Sequence, residues 1–112
     1  MDMVKIKRFD VVLVNLDPTI GSEIKKTRPA IIISPDSMNL SRLKTVIIAP
    51  MTSTIKDNFP TRVMTLFKDK KGQIALDQIR AIDRSRIVQK LGAIDHTTQM
   101  NVLNVLAILF QK

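Results

Sequence analysis

The stretch "FDVVLVNLDPTIGSEIKKTRPAIIIS", Phe9 to Ser34, sets two apolar, β-branched runs around a polar interval. Phe9–Leu16 and Ala30–Ile33 are dominated by Val, Ile and Leu, the composition of strands that pack on both faces. Between them, Asp17–Pro29 holds thirteen mostly polar residues, including Gly21 and the pair Lys25-Lys26. A simple hairpin turns in about two to five residues. The longer excursion reads as a working loop carried by two strands.

The same pattern continues outward. Strands are expected over Phe9–Leu16, Pro29–Ser34, Thr45–Pro50, Thr61–Phe67 and Gly72–Gln78, with a shorter one near Arg86–Ile94. Runs such as Val11-Val-Leu-Val14 and Val46-Ile-Ile48 are continuous rather than alternating, which suggests burial on both faces. Ser34-Pro-Asp-Ser-Met-Asn39 can open a short helical turn near Pro35 or Asp36. Five or six short strands with polar connections imply a small, strongly curved antiparallel β-barrel. There is no repeat, linker or low-complexity segment, so residues 1–112 are expected to form one domain.

The period changes at the end of the chain. Asp95-His-Thr-Thr98 offers N-cap residues, and Gln99 to Gln111 reads as a C-terminal α-helix. Its apolar residues cover most of the circumference, and such a helix is normally buried. A barrel this small covers one face, so a homodimer through the C-terminal helix region is expected. The alternative is that the helix plugs the barrel.

Composition bounds the function. Eighteen Lys and Arg against ten Asp and Glu give a net charge of +8, which favours polyanionic partners. The basic residues are scattered, so any patch is assembled by folding. There is no Cys, in keeping with a reducing, cytoplasmic setting, and the N-terminal Met-Asp-Met-Val-Lys lacks an apolar leader. No apolar run is long enough to span a membrane. Trp and Tyr are absent and Phe occurs four times, too few for a binding face built on stacking; bases would be read by hydrogen bonds, or by Phe59 alone.

No metal or cofactor is expected. The single His96 lies in the cap of the last helix and reads as structural, and no acidic pair stands at ligand spacing beside it. Arg, Lys and hydroxyl groups remain. They suit phosphodiester transfer on RNA, which carries its own nucleophile in the 2′-OH. The protein then has to stabilise charge on phosphoryl oxygens and manage two protons. Arg28 re-enters a strand just before Pro29, which biases it to an extended conformation. Pro50-Met-Thr-Ser-Thr54 presents three consecutive hydroxyls, which read either as ligands of a phosphate or as a turn. Asp77-Gln-Ile-Arg80 closes another strand, and its Asp and Arg can pair with each other.

Four segments together resemble the MazF/PemK-type toxins of bacterial toxin–antitoxin systems. "FDVVLVNLDPTIGSE" is similar to the family's opening strand and loop, although Phe9 stands where Gly is common. "KTRPAIIIS", "VIIAPMTS" and "ALDQIRAID" resemble its next three motifs, in the right order over nearly the whole chain. The resemblance implies an SH3-like curved antiparallel barrel with a C-terminal helix, as in CcdB and MazF. It implies a homodimeric, metal-independent endoribonuclease that cuts single-stranded mRNA at short sequences. The products would carry 2′,3′-cyclic phosphate and 5′-OH ends. It also implies an acidic antitoxin that occupies the RNA groove, and DNA binding together with that antitoxin.

The catalytic pair then falls on Arg28 and Thr52, with Glu23, Ser53 and Asp77 as candidate support. RNA contacts fall on Thr19, Ser22, Lys25, Lys26, Arg62, Gln78 and Arg80. A guanidinium stays protonated, so its physical role is charge stabilisation and donation to the leaving oxygen rather than base catalysis. Some members are argued to use an Arg two residues before the Asp of the third of those motifs. Here that position is Ala75, so a scheme built on that Arg does not carry over.

Two other readings share the fold or the charge. A gyrase poison like CcdB would use a Trp near the C-terminus, and this chain has none. A non-catalytic nucleic-acid-binding barrel would call for an aromatic surface.

Overall fold

The computed structural model describes residues 5–112; the Met-Asp-Met-Val of the leader expectation lies outside them. Seven strands form one antiparallel sheet. They are β1 (Asp10–Asn15), β2 (Thr27–Ile32), β3 (Thr45–Thr52), β4 (Arg62–Phe67), β5 (Lys70–Ala75), β6 (Arg80–Asp83) and β7 (Ile87–Ala93). A short helix α1 (Asp36–Asn39) follows β2, and α2 (His96–Leu109) closes the chain.

The sheet order is β4-β5-β3-β2-β1-β7, with β6 also paired to β3. Strand β3 is the hub. It lies against β2 through Ile48, Ala49 and Pro50, and against β6 through Thr45–Ile48. Its last two residues are taken over by β5, with Met51 opposite Ile74 and Thr52 opposite Gln73. Register shifts between β1 and β7 add curvature at the other edge. The result is the curled antiparallel half-barrel with a C-terminal helix that the strand pattern implies.

The continuous apolar runs are buried on both faces. Val11, Ile31, Ala49, Met51 and Ile74 point to one cluster, which α2 covers with Val102, Val105 and Leu106. Val12, Val14, Ala30, Ile32, Val46 and Ile48 point to the other, closed by Ile6, Leu16, Ile82 and the partly buried Ile24. Alternation along each strand therefore serves two cores, and neither face reads as polar.

Several element boundaries move. β3 extends to Thr52, so that residue ends a strand rather than following it. β5 stops at Ala75, and Leu76–Gln78 turn as a 3-10 helix that swings Asp77 out of the sheet. Strand β6 was hidden in the expected strand-end motif, because four residues around one buried Ile82 carry little period. α2 starts three residues earlier than expected. Asp95 is the N-cap, its carboxylate accepting from the Thr98 N–H at 2.8 Å, and His96 is the first helical residue. Only one side of α2 is covered: Ile108 is 69% exposed, and Phe110, the residue that caps its C-terminus, 70%.

Candidate functional site

The site is built where the long loop enters β2 and β3 leaves the second core. The β2–β3 ladder runs from Ile32–Ile48 to Ala30–Pro50 and stops there; Arg28 lies two residues before its end on β2, and Thr52 two residues after it on β3. Alternation places Arg28, Ala30 and Ile32 on one face of β2, and Thr52, Pro50 and Ile48 on the matching face of β3. Ala30, Ile32 and Ile48 share the second core, so Arg28 and Thr52 stand at its open end.

Arg28 is half-buried, and its Nε donates to the Lys25 carbonyl at 2.7 Å. Among the described residues its two terminal nitrogens carry no protein hydrogen bond. Thr52 is buried, and its Oγ1 accepts from the Thr54 N–H at 3.1 Å. The hydroxyl keeps its own hydrogen to donate. The hydroxyl cluster forms a turn, in which the Thr52 hydroxyl is left with a hydrogen to donate. Ser53, next along, is exposed.

The loop is ordered by specific bonds. At its root, Arg86 Nη1 donates to the carbonyls of Asn15 and Asp17 at 3.1 and 2.6 Å. Asp17 Oδ1 accepts from the Lys26 N–H at 2.9 Å, where Lys26 adopts a left-handed φ of 73° and turns the chain into β2. At its tip, Glu23 Oε1 accepts from the Ile20 N–H at 2.6 Å. Across the groove, Gln78 Oε1 accepts from the Ile24 N–H at 2.7 Å. Lys25 and Lys26 are exposed and Thr19 is half-buried.

A cavity of about 330 Å³ opens between this loop and the strand ends. Ser22, Glu23, Ile24, Pro50, Asp77, Gln78, Ile79 and Arg80 line it. It brings together five of the residues singled out from the sequence. Arg28 and Thr52 are not in its lining. Arg80 Nη1 lies 3.4 Å from the Leu16 carbonyl.

Asp77 does not pair with Arg80. Its partner is Arg62, whose Nε and Nη2 reach the two carboxylate oxygens at 2.7 and 3.2 Å, with Thr61 Oγ1 at 3.2 Å. The 3-10 turn is the reason, since it rotates Asp77 toward β4 instead of along β6. Burial alone would raise the Asp77 pKa, but the bonds from Arg62 and Thr61 outweigh it and hold the carboxyl below its ordinary value. Ala75 is fully buried and stands opposite Arg62 in the β4–β5 ladder. Among the described residues no three His, Asp or Glu side chains gather into a group able to hold a metal.

Sequence reasoning missed Gly72 and Gln73. A Cβ at Gly72 would lie 2.8 Å from the Thr52 carbonyl oxygen, so only glycine lets β5 close on the end of β3. A lone Gly inside a strand pattern is the available signal for such an approach. Arg86, which pins the loop root, left no signal in the pattern.

The family model for the PemK-like, MazF-like toxin of type II toxin–antitoxin systems matches residues 7–110. An endoribonuclease MazF of Staphylococcus epidermidis is 39% identical over 108 residues, covering 92% of this chain and 89% of that protein. The crystal structure of MazF from Deinococcus radiodurans superposes with a TM-score of 0.83 at 24% identity, covering 97% of this chain and 99% of the other. A MazE–MazF structure from the same organism gives 0.75 at 26% identity, covering 95% and 96%. No helix among the described residues is long and apolar enough to cross a membrane.

Proposed function

The chain belongs to the PemK-like, MazF-like toxins of type II toxin–antitoxin systems, and on that premise we propose that it cuts single-stranded RNA without a metal, using Arg28 and Thr52. It is a toxin endoribonuclease whose partner is an antitoxin, in line with the MazF relative and the MazE–MazF structure it resembles. What supports the catalytic assignment is that Arg28 and Thr52 each lie two residues beyond the Ala30–Pro50 pair that ends the β2–β3 ladder, each with donors left unbonded.

The reaction forms a bond from the 2′ oxygen to phosphorus and breaks the bond from phosphorus to the 5′ oxygen. Charge builds on the phosphoryl oxygens, where the two terminal nitrogens of Arg28 and the Thr52 hydroxyl donate. Arg28 also hydrogen-bonds the departing 5′ oxygen, which takes its proton from solvent water and leaves as the 5′-OH. Glu23 is the candidate to take the 2′-OH proton, because it lines the cavity and spends one carboxylate oxygen on Ile20. Ser53, exposed beside Thr52, can add a hydroxyl to the phosphate.

The cavity would hold a base next to the scissile phosphate. Ser22, Gln78 and Arg80 offer donors and acceptors for base edges, and Arg62 fixes Asp77 in its wall. Lys25, Lys26 and Thr19 track the backbone from the loop. The exposed apolar side of α2 is the surface for a second copy of the chain. An acidic antitoxin segment would compete with RNA for the same basic groove, and the pair would bind DNA together.

Incubation of a long single-stranded RNA with the protein in EDTA, followed by end analysis, tests this reading. The expected products carry 2′,3′-cyclic phosphate and 5′-OH. Loss of cutting in EDTA, or 5′-phosphate ends, would overturn it.

A further inference from the structure

Thr52 is the last residue of β3, and the nine residues between it and β4 have no strand of their own to hold them. One buried side chain does so. Gln73, 3% exposed on β5, stands directly opposite Thr52 in the ladder, so both side chains lie on the same face. Its Oε1 accepts from the Lys56 N–H at 3.0 Å, and its Nε2 donates to the Lys56 carbonyl at 3.2 Å. The amide thus binds both backbone polar groups of one residue, as a neighbouring strand would. Nε2 also lies 3.4 Å from Met64 Sδ. These bonds pull residues 53–56 back over the end of β3. In that turn the Thr54 N–H bonds Thr52 Oγ1 at 3.1 Å.

We infer that Gln73 is a positioning residue for the reaction: by clamping Lys56 it holds the Thr54 N–H on Thr52 Oγ1 and so fixes where the Thr52 hydroxyl donates. The inference rests on the role of Thr52 given above. The hydroxyl can rotate freely about its carbon unless a donor occupies one lone pair. With Thr54 in place, its hydrogen is confined to the remaining directions. Gly72 completes the device, since any side chain there would push β5 off the Thr52 carbonyl. Catalytic donors displaced by about 1 Å can cost on the order of 100-fold in rate, so a clamp two bonds away from chemistry still matters.

The test uses the full chain and two independent ways of opening the clamp. Gln73→Met keeps the volume and removes both bonds. Lys56→Pro removes the N–H from the exposed loop, with Lys56→Ala as its control for the lost charge. Hydrogen exchange at Thr54 and single-turnover RNA cleavage in EDTA are then measured, alone and in a Thr52→Val background. Gln73→Met and Lys56→Pro should speed Thr54 exchange by at least about tenfold. They should lower the single-turnover cleavage rate at saturation by roughly 10- to 100-fold with the half-saturating protein concentration nearly unchanged, while Lys56→Ala keeps the rate. In the Thr52→Val background neither should cost anything more. Unchanged Thr54 exchange, or losses that multiply with Thr52→Val, would overturn the inference. A wild type that does not cut RNA would overturn the proposed reaction instead, and the exchange result would still decide whether Gln73 holds Thr54.

Discussion

The Arg62 guanidinium lies 2.7 Å from the Asp77 carboxylate, and the pair joins the start of β4 to the 3-10 turn that walls the cavity. Arg62 is only 5% exposed at its side chain, so the pair holds a nearly buried cation. Asp77→Ala should destabilise the fold by about 1–3 kcal/mol in urea unfolding, because it strands that cation. Asp77→Asn, which keeps an acceptor, should cost less. The Asp77 pKa is lowered in the folded chain, so its contribution is full above the ordinary value of 3.8. It is lost as pH falls through the lower folded value. The urea unfolding midpoint of Asp77→Asn should therefore change less with pH below about 4 than that of the wild type.

Gly72 stands against the Thr52 carbonyl, where an added Cβ would meet backbone rather than a yielding side chain. Gly72→Ala should destabilise by roughly 1–3 kcal/mol and slow RNA cleavage in the same protein. Thermal unfolding and a cleavage time course on one preparation check both. A stable, fully active Gly72→Ala would show that β5 can back away without moving Thr52.

Glu23 has a structural bond and a proposed chemical role, and Glu23→Gln separates them. The amide oxygen can still accept from the Ile20 N–H, so the loop turn should persist. The variant cannot take a proton. Its cleavage rate should fall on the order of 100-fold with RNA affinity retained. A Glu23→Gln variant that cuts at the wild-type rate would leave the carboxylate with the loop alone.

Lys25 and Lys26 are exposed on the loop that borders the cavity. RNA affinity should fall as salt rises, and replacing either Lys with Ala should reduce the slope of log K against log salt by about 0.7. Fluorescence anisotropy with a single-stranded RNA at several salt concentrations measures the slope. An unchanged slope in the double variant would place the backbone path elsewhere on this +8 surface.

The legibility of these features follows their physics. Val11–Val14 and Val46–Ile48 are readable as strands because burial on both faces demands continuous apolar residues. The cap at Asp95 is readable because one carboxylate and one turn of helix decide it. Arg28, Thr52 and the loop carry recognisable motifs, so they can be placed in one site before any geometry. The Asp77 partner is different. It depends on a three-residue 3-10 turn, and a turn that short has no period to read. Gln73 is also hidden, because a polar residue in a strand gives no hint that it faces a loop 17 positions away in the chain. The distribution of α2 between a covered and an exposed side is half legible: its apolar circumference shows in the sequence, but which residues stay outside depends on how β4 and the core meet it.

Arg28 is the residue on which the proposed chemistry turns. The most direct measurement is cleavage of a single-stranded RNA in EDTA by wild type and Arg28→Ala side by side, with RNA binding and thermal unfolding as controls. The expected result is cutting by wild type only, with kcat of the variant down by at least about 100-fold while fold and affinity survive. Equal cutting by both proteins would contradict it and move the reacting phosphate away from the start of β2.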